Sequence, residues 1–210
     1  MHTPVPLSWY RKFFRVVSAL EVQGWCVVEN FWPEELIAAL RTELYATPYL
    51  PEFREAGMGR EADKIVDTGY RSDRMRWLTG RDGVETQYLG LMAVLQRLIN
   101  RRLYLGLADF ECQFSIYPAG GFYRRHMDGF RDYRARVVTV ISYLNPGWLP
   151  AHGGALVLYD PQQPDKPITE VTPRGGTFVV FLSEVFPHEV LAARRERCSV
   201  AGWFRVRDLG

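Results

Sequence analysis

From Phe110 onward the chain breaks into short apolar runs set between Gly, Pro and Asp, and this texture limits the fold more than any other feature. The runs are FECQFSIY, RVVTVISYL, ALVLY, ITEV, TFVVFL, HEVL and RCSVAGWFRV. They are short for helices and rich in the β-branched and aromatic residues that suit a pleated sheet. Seven or eight such strands in close succession favour a sandwich, a barrel or a jelly roll.

The first half has a different rhythm. Residues 8–21 carry Phe13, Val16, Val17 and Leu20 on one helical side, with Ser8 suited to the N-cap and Gly24 to the stop. A short β-prone stretch, Trp25-Cys26-Val27-Val28, follows. A second helix is expected from Pro33 to about Tyr45, with Pro33 at the first helical position and Leu36, Ile37, Leu40 and Leu44 as its stripe. Residues 46–70 are rich in Pro, Gly and charge and read as a long mobile loop, a length that is often functional. Arg71 to Trp77 reads as a strand returning to the body, with Met75 and Trp77 in the core. A third helix is expected over 86–101, carried by Met92, Leu95, Leu98 and Ile99. One domain over residues 1–210 is expected, with 1–109 as helical support, first strands and mobile loop, and 110–206 as the β core.

Composition narrows the function classes. With 47% hydrophobic and 24% charged residues, the chain reads as a soluble globular protein. A net charge of +2 is too mild to argue for a nucleic-acid or membrane partner. Cys26, Cys112 and Cys198 form no CxxC pair, which leaves buried free thiols in a reducing compartment. The N-terminal stretch has no apolar core of signal-peptide type and no run reaches membrane-spanning length, so a cytoplasmic location is expected.

The chain has 4 histidines: His2, His126, His152 and His188. His126 and Asp128 are separated by one residue, which on an extended strand aims both side chains at one volume. An H-x-D alone is a weak signal. His188, inside the β region, is the best third donor. Two His and one carboxylate form the facial triad of non-haem iron(II), which leaves positions open for an oxo acid and dioxygen. Zinc hydrolases use the same donor set, so the triad leaves the metal open. Arg197 shares a strand face with Ser199, Ala201 and Trp203. A buried guanidinium needs an anion, and Arg grips carboxylates by a two-point fork. Tyr143 shares a face with Thr139 and Ile141 and could add a hydrogen bond. Arg194 and Arg195 compete with Arg197 but lie in a charged turn, and a solvated surface suits both. Asp73 could pair with Arg74 at the surface or position the loop.

The order and spacing of these residues resemble one family. Tyr117-Pro118, Gly-Phe-Tyr-Arg-Arg-His126-Met-Asp128, Val-Thr-Val-Ile-Ser-Tyr143-Leu-Asn, Gly153-Gly154, Pro-His188-Glu-Val and Arg197-Cys-Ser-Val-Ala-Gly-Trp203-Phe are similar to the prolyl-hydroxylase branch of the 2-oxoglutarate oxygenases, including the hypoxia-sensing enzymes and their bacterial relatives. Upstream, Arg71-Ser-Asp73-Arg-Met-Arg-Trp77 resembles that branch's strand after a mobile substrate loop. The resemblance implies a mainly β fold, a double-stranded β-helix (jelly-roll) core with supporting helices. It implies an iron(II)- and 2-oxoglutarate-dependent dioxygenase that hydroxylates a prolyl residue of a cytosolic protein and releases succinate and carbon dioxide. The implied metal ligands are His126, Asp128 and His188. The implied co-substrate residues are Arg197 as anchor, Tyr143 and Tyr117, with Trp203 lining the pocket near the metal. Iron(II), 2-oxoglutarate and O2 would be required, with ascorbate a candidate reductant. The implied partner is a protein with an exposed prolyl loop, such as a transcriptional regulator or part of the translation machinery.

The chain departs from the hypoxia-type pattern in three places. The turn from Tyr117 to His126 is one residue shorter, Ala201 stands for a threonine, and 46–70 has its own sequence. These departures bear on the substrate rather than on the metal. Two rival functions are the same chemistry on a small molecule or nucleic-acid base, and a non-catalytic metal-binding jelly roll. Arg124, Arg125, Arg131, Arg134 and Arg136 crowd the H-x-D and would serve a nucleic-acid groove, though Asp128, Asp132 and Tyr133 are interleaved with them.

Overall fold

The computed structural model describes residues 6–57, 67, 69–81, 83–129 and 135–207. His2, Arg131, Asp132, Tyr133, Arg134 and most of the expected loop's second half (58–66 and 68) lie outside the described residues.

The apolar runs become two sheets. Strands β1 (Trp25–Val28), β2 (Arg54–Glu55), β3 (Arg74–Trp77), β4 (Asp109–Tyr117), β6 (Arg136–Tyr143), β9 (Phe178–Leu182) and β11 (Arg197–Arg205) form the larger sheet, in the order β1-β9-β6-β11-β4-β3-β2. Strands β5 (Tyr123–His126), β7 (Leu156–Tyr159), β8 (Pro167–Val171) and β10 (His188–Val190) form the smaller one, in the order β5-β10-β7-β8. Between β4 and β11 the chain crosses repeatedly from one sheet to the other. This makes the double-stranded β-helix, or jelly roll.

The larger sheet is covered on both faces, so its central strands are apolar almost throughout. Alternation decides which residue serves which side. Val138, Val140, Phe178, Val180, Cys198, Val200 and Phe204 pack beneath the helices. The alternate positions Ile141, Tyr143, Val179 and Phe181 face the smaller sheet, together with Leu156 and Leu158. Along β4 and β11 the same inner parity carries Ser115, Tyr117, Arg197, Ser199 and Trp203, so this end of the inter-sheet space is polar.

Three helices support the outer face: α1 (Leu7–Gln23), α2 (Glu34–Leu44) and α3 (Gly83–Leu103). The stripe Phe13, Val16, Val17 and Leu20 is buried as its spacing requires. Gly24 ends α1 in the left-handed region, at φ 79°, and donates to the Leu20 carbonyl. Two details correct the sequence reading. Ser8 lies inside α1, which starts after Pro6 with no side-chain cap, and Pro33 is the cap residue of α2 rather than its first helical residue. α3 begins at Gly83, three residues before the expected start. Glu85 lies fully buried in its first turn and accepts from the Thr79 and Gly80 amides and from Arg76.

The expected loop 46–70 is partly structured. Thr47–Glu52 forms a 3-10 helix and Arg54–Glu55 pairs with β3. Trp77 is not core: it shares the Met75 face of β3 but ends the strand, where it is 42% exposed and edges against Trp203. All three cysteines are buried and free. Among the described residues, no helix is long and apolar enough to cross a membrane.

Candidate active site

His126 ends β5, and its antiparallel partner across to β10 is His188, so register alone sets the two imidazoles side by side at 4.2 Å between ring centres. Asp128 does not share a strand with His126. The chain leaves β5 at Met127, and Asp128 sits in the turn that follows. The convergence expected from strand alternation is therefore reached by a turn, which folds the carboxylate back between the rings. Asp128 Oδ1 lies 3.5 Å from His126 Nε2 and Oδ2 lies 3.5 Å from His188 Nε2. One ligand atom from each of the three residues fits within 4.8 Å of the others.

The hydrogen bonds around this cluster leave its metal-facing atoms available. His126 Nδ1–H donates to the Arg124 carbonyl at 2.7 Å, and His188 Nδ1–H to the Phe186 carbonyl at 3.1 Å. Each ring is thereby fixed in the tautomer whose Nε2 lone pair is free. Thr139 donates its hydroxyl to Asp128 Oδ2 at 2.9 Å and is in turn 2.8 Å from Ser183 Oγ. Burial, with help from the neighbouring His126, pushes the His188 imidazole down to about 4, which keeps it neutral at physiological pH. Burial by itself would raise the Asp128 carboxyl, but His188, His126 and Arg136 outweigh it and hold the group well below the usual carboxylate range. Three convergent donors, two imidazoles and one carboxylate, fit a divalent transition metal with open positions.

Arg197 is the largest fully buried side chain among the described residues. Its Nε donates to the Gly154 carbonyl at 2.9 Å and its Nη2 reaches the Tyr143 hydroxyl at 3.4 Å. The guanidinium lies 4.9 Å from the Tyr117 ring and 5.0 Å from the Tyr143 ring. Among the described residues, no carboxylate forms an ion pair with it. A fully buried cation without a protein anion is costly, and a carboxylate ligand resolves the imbalance. Gly154 is required beside it: a Cβ there would stand 3.2 Å from Arg197 Cδ and 2.9 Å from Ala193 Cβ, at a φ of +70°. Thr139 beside the carboxylate and Tyr143 beside the guanidinium lie four residues apart on one face of β6, roughly 13 Å of strand. The arm of Arg197 and a short dicarboxylate between them suit that gap.

Tyr117 is buried against Arg197, and burial holds its phenol protonated. Trp203 is the cross-strand neighbour of Thr139, and its buried indole N–H has no hydrogen-bond partner among the described residues. Arg194 and Arg195 are exposed. His152 lies in the 3-10 turn Pro150–His152, where its Nδ1 accepts from the Leu149 amide. Asp73 pairs with Arg71 rather than Arg74. Arg71 Nε and Nη2 contact the two carboxylate oxygens at 2.5 and 2.9 Å, and Asp73 is 2% exposed. Sequence reasoning missed Arg71, Tyr123 and Ser183. Thr139 was visible on the Tyr143 face, but its hold on Asp128 was not. Of the basic crowd near the metal, Arg136 pairs with Glu111 and Arg125 with Asp165, while Arg131 and Arg134 lie outside the described residues.

Residues 112–205 match the model of the 2OG-Fe(II) oxygenase superfamily. A prolyl-4-hydroxylase from Pseudomonas putida is 41% identical over 93% of this chain and 100% of its own, with a TM-score of 0.81. A prolyl hydroxylase from Trichoplax adhaerens, solved with a peptide of the hypoxia-inducible factor oxygen degradation domain, is 25% identical over 97% of this chain and 94% of its own, with a TM-score of 0.83. A viral collagen prolyl hydroxylase from Paramecium bursaria Chlorella virus-1, solved with 2OG, shares the fold at 15% identity and a TM-score of 0.63.

Proposed function

The chain belongs to the 2-oxoglutarate- and iron(II)-dependent oxygenases, in their prolyl-hydroxylase branch, and from that premise we propose that it hydroxylates a prolyl residue in an exposed loop of a cytosolic protein. The observation that carries the site assignment is the joining, in one inter-sheet space, of a two-His, one-carboxylate cluster with a buried guanidinium that no carboxylate among the described residues neutralises. His126, Asp128 and His188 would hold the metal. Arg197 would hold the far carboxylate of 2-oxoglutarate by its fork, with Tyr143 and Tyr117 beside the guanidinium to help bind the co-substrate.

When bound, iron(II) with 2-oxoglutarate and O2 supplies an oxidant able to break a C–H bond, while 2-oxoglutarate is consumed to succinate and carbon dioxide. The residues of the chain supply position and exclusion. The Arg124 and Phe186 carbonyls hold the imidazole protons away from the metal face. Thr139 fixes the rotation of the Asp128 carboxylate. Ile141, Leu158, Val179 and Phe181 wall the interior and keep water out. Trp203 presents, next to Thr139, an N–H with no partner among the described residues, a donor that could serve a group bound in the site.

A protein substrate is supported by the peptide bound to the Trichoplax relative. An arginine anchor, where the resemblance gives collagen-type enzymes lysine, supports a likeness to the hypoxia-type enzymes. Residues 46–70 are the segment that would close over the partner, which is a regulatory protein or a component of the translation machinery. The three buried free thiols suit a reducing cytosol. Residues 1–210 would work as one oxygenase unit.

The test is mass spectrometry of cytosolic proteins treated with wild-type enzyme or with His188→Ala. One-oxygen additions on proline, present only with the wild type, are expected. Turnover of 2-oxoglutarate without any such site would move the substrate to a small molecule or nucleic-acid base.

A further inference from the structure

His126 and His188 are held very differently. His188 is 4% exposed, lies between two strands of its sheet, and meets the edge of Phe181 at 4.7 Å. His126 ends β5, the edge strand of the smaller sheet. What covers that edge is residues 69–73, the last turn of the segment 46–70 and the approach to β3. Arg71 forms an isolated antiparallel bridge with Tyr123. Ser72 N–H and Oγ–H both donate to the Phe122 carbonyl, and the Phe122 amide donates back to Ser72 Oγ. The Arg124 amide donates to the Tyr70 carbonyl at 3.0 Å, and Arg124 Nε donates to the Gly69 carbonyl at 2.8 Å. Tyr70 donates its hydroxyl to the Arg125 carbonyl at 3.0 Å.

Two of these contacts reach His126 itself. The carbonyl that accepts its Nδ1–H belongs to Arg124, whose amide and side chain are both tied to residues 69 and 70. The face of the His126 ring is covered by Tyr123, stacked at 3.5 Å between centroids and 17° between planes. Tyr123 in turn lies 4.7 Å from the Arg71 guanidinium, and Asp73 locks that guanidinium by two hydrogen bonds. Tautomer and ring plane of one ligand are thus both set from a single neighbouring segment.

We propose that Arg71, Asp73 and Tyr123 are positioning residues that act through His126, so that the docking of residues 69–73 on β5 sets how firmly the site holds its metal. The inference rests on the reading of His126, Asp128 and His188 as metal ligands. It links that hold to the segment that would close over a protein substrate. Release of 69–73 from β5 loosens His126 and leaves His188 untouched.

The experiment follows cobalt(II) in the full chain by its visible absorption as EDTA removes it. Tyr123→Leu removes the stacked ring, and Tyr123→Phe keeps it. Arg71→Leu with Asp73→Leu removes the clamp without stranding one buried charge. Loss of an outer contact to a ligating histidine costs on the order of tenfold. About tenfold faster release is expected for Tyr123→Leu and for the Arg71→Leu/Asp73→Leu pair, wild-type release for Tyr123→Phe, and no further gain when all three changes are combined. Wild-type release from both Tyr123→Leu and the folded pair overturns the proposal, as does equal acceleration by Tyr123→Phe. If the pair does not fold, Tyr123→Leu against Tyr123→Phe decides alone. His126→Ala is the control: cobalt held there as in the wild type refutes the metal reading itself, whereas cobalt lost there and kept in the other variants refutes only this inference.

Discussion

The two ends of the cavity are built by opposite means. At the anchor end, Arg197 and Tyr143 project from central strands of the larger sheet, both fully buried, and a loop contributes the carbonyl of Gly154. At the metal end, His188 comes from an inner strand, but His126 ends an edge strand and Asp128 sits in a turn. The anchor end is therefore a fixed socket, and its order follows from the packing of the sheets. The metal end depends on local hydrogen bonds and on a segment docked from outside. Under the proposed function, a site that binds a co-substrate reproducibly yet responds to a protein substrate gains from having one rigid end and one adjustable end.

The sharpest way to break the comparison is at the socket. Arg197→Leu removes the charge while leaving the metal cluster intact, and should raise the KM for 2-oxoglutarate on the order of a hundredfold. Truncating one partner of a buried charge contact costs ~2–5 kcal/mol. Metal binding measured in the same variant should stay within about twofold of wild type. Equal loss of both would mean that the two ends are one unit.

Acid should find the metal end first. An unfolded histidine takes its proton near 6.5, whereas burial holds the folded His188 down to about 4. Across that window the unfolded chain binds more protons, so the metal-free protein loses stability as pH falls from 6.5 toward 4, and the contribution is fully present above 6.5. The shift corresponds to about 3 kcal/mol in all. Chemical denaturation of the metal-free protein at a series of pH values measures it. His188→Phe should flatten this part of the curve.

The smallest effects separate the ends most finely. Thr139→Val removes the 2.9 Å bond to the Asp128 carboxylate and should weaken metal binding by about tenfold, since bonds to charged groups contribute ~1.5–3 kcal/mol. Tyr143→Phe removes only a long 3.4 Å contact and should raise the KM for 2-oxoglutarate by about threefold, with little change at the metal. Titrations of both ligands on both variants would show whether the effects stay at their own ends.

The socket was legible in the sequence because strand alternation is a local rule. It put Arg197 on the face of Ser199, Ala201 and Trp203, and Tyr143 on the face of Thr139, and the sheets obey it. The metal donors were legible as residue types in order, but the reason given for their convergence was incomplete, since Asp128 lies past the end of its strand. Arg71 was not legible. Its pairing with Asp73 reads from the sequence like any surface contact, and its place over Tyr123 depends on the closure of one sheet against another across 52 residues of chain. For the same reason the sequence offered Arg74 as a surface partner for Asp73 and missed Arg71. Trp77 was placed in the core with Met75, whose face of β3 it shares, but it ends that strand and is left half exposed.

The central claim is that one cavity brings together a metal held by His126, Asp128 and His188 and a 2-oxoglutarate held by Arg197. The visible charge-transfer absorption of iron(II) with 2-oxoglutarate, titrated without oxygen, reads both ends at once. The account predicts a saturable band in the wild type, no band in His126→Ala, and in Arg197→Leu a band that forms only at far higher 2-oxoglutarate. No band in the folded wild-type protein, or an unchanged band in His126→Ala, would contradict it.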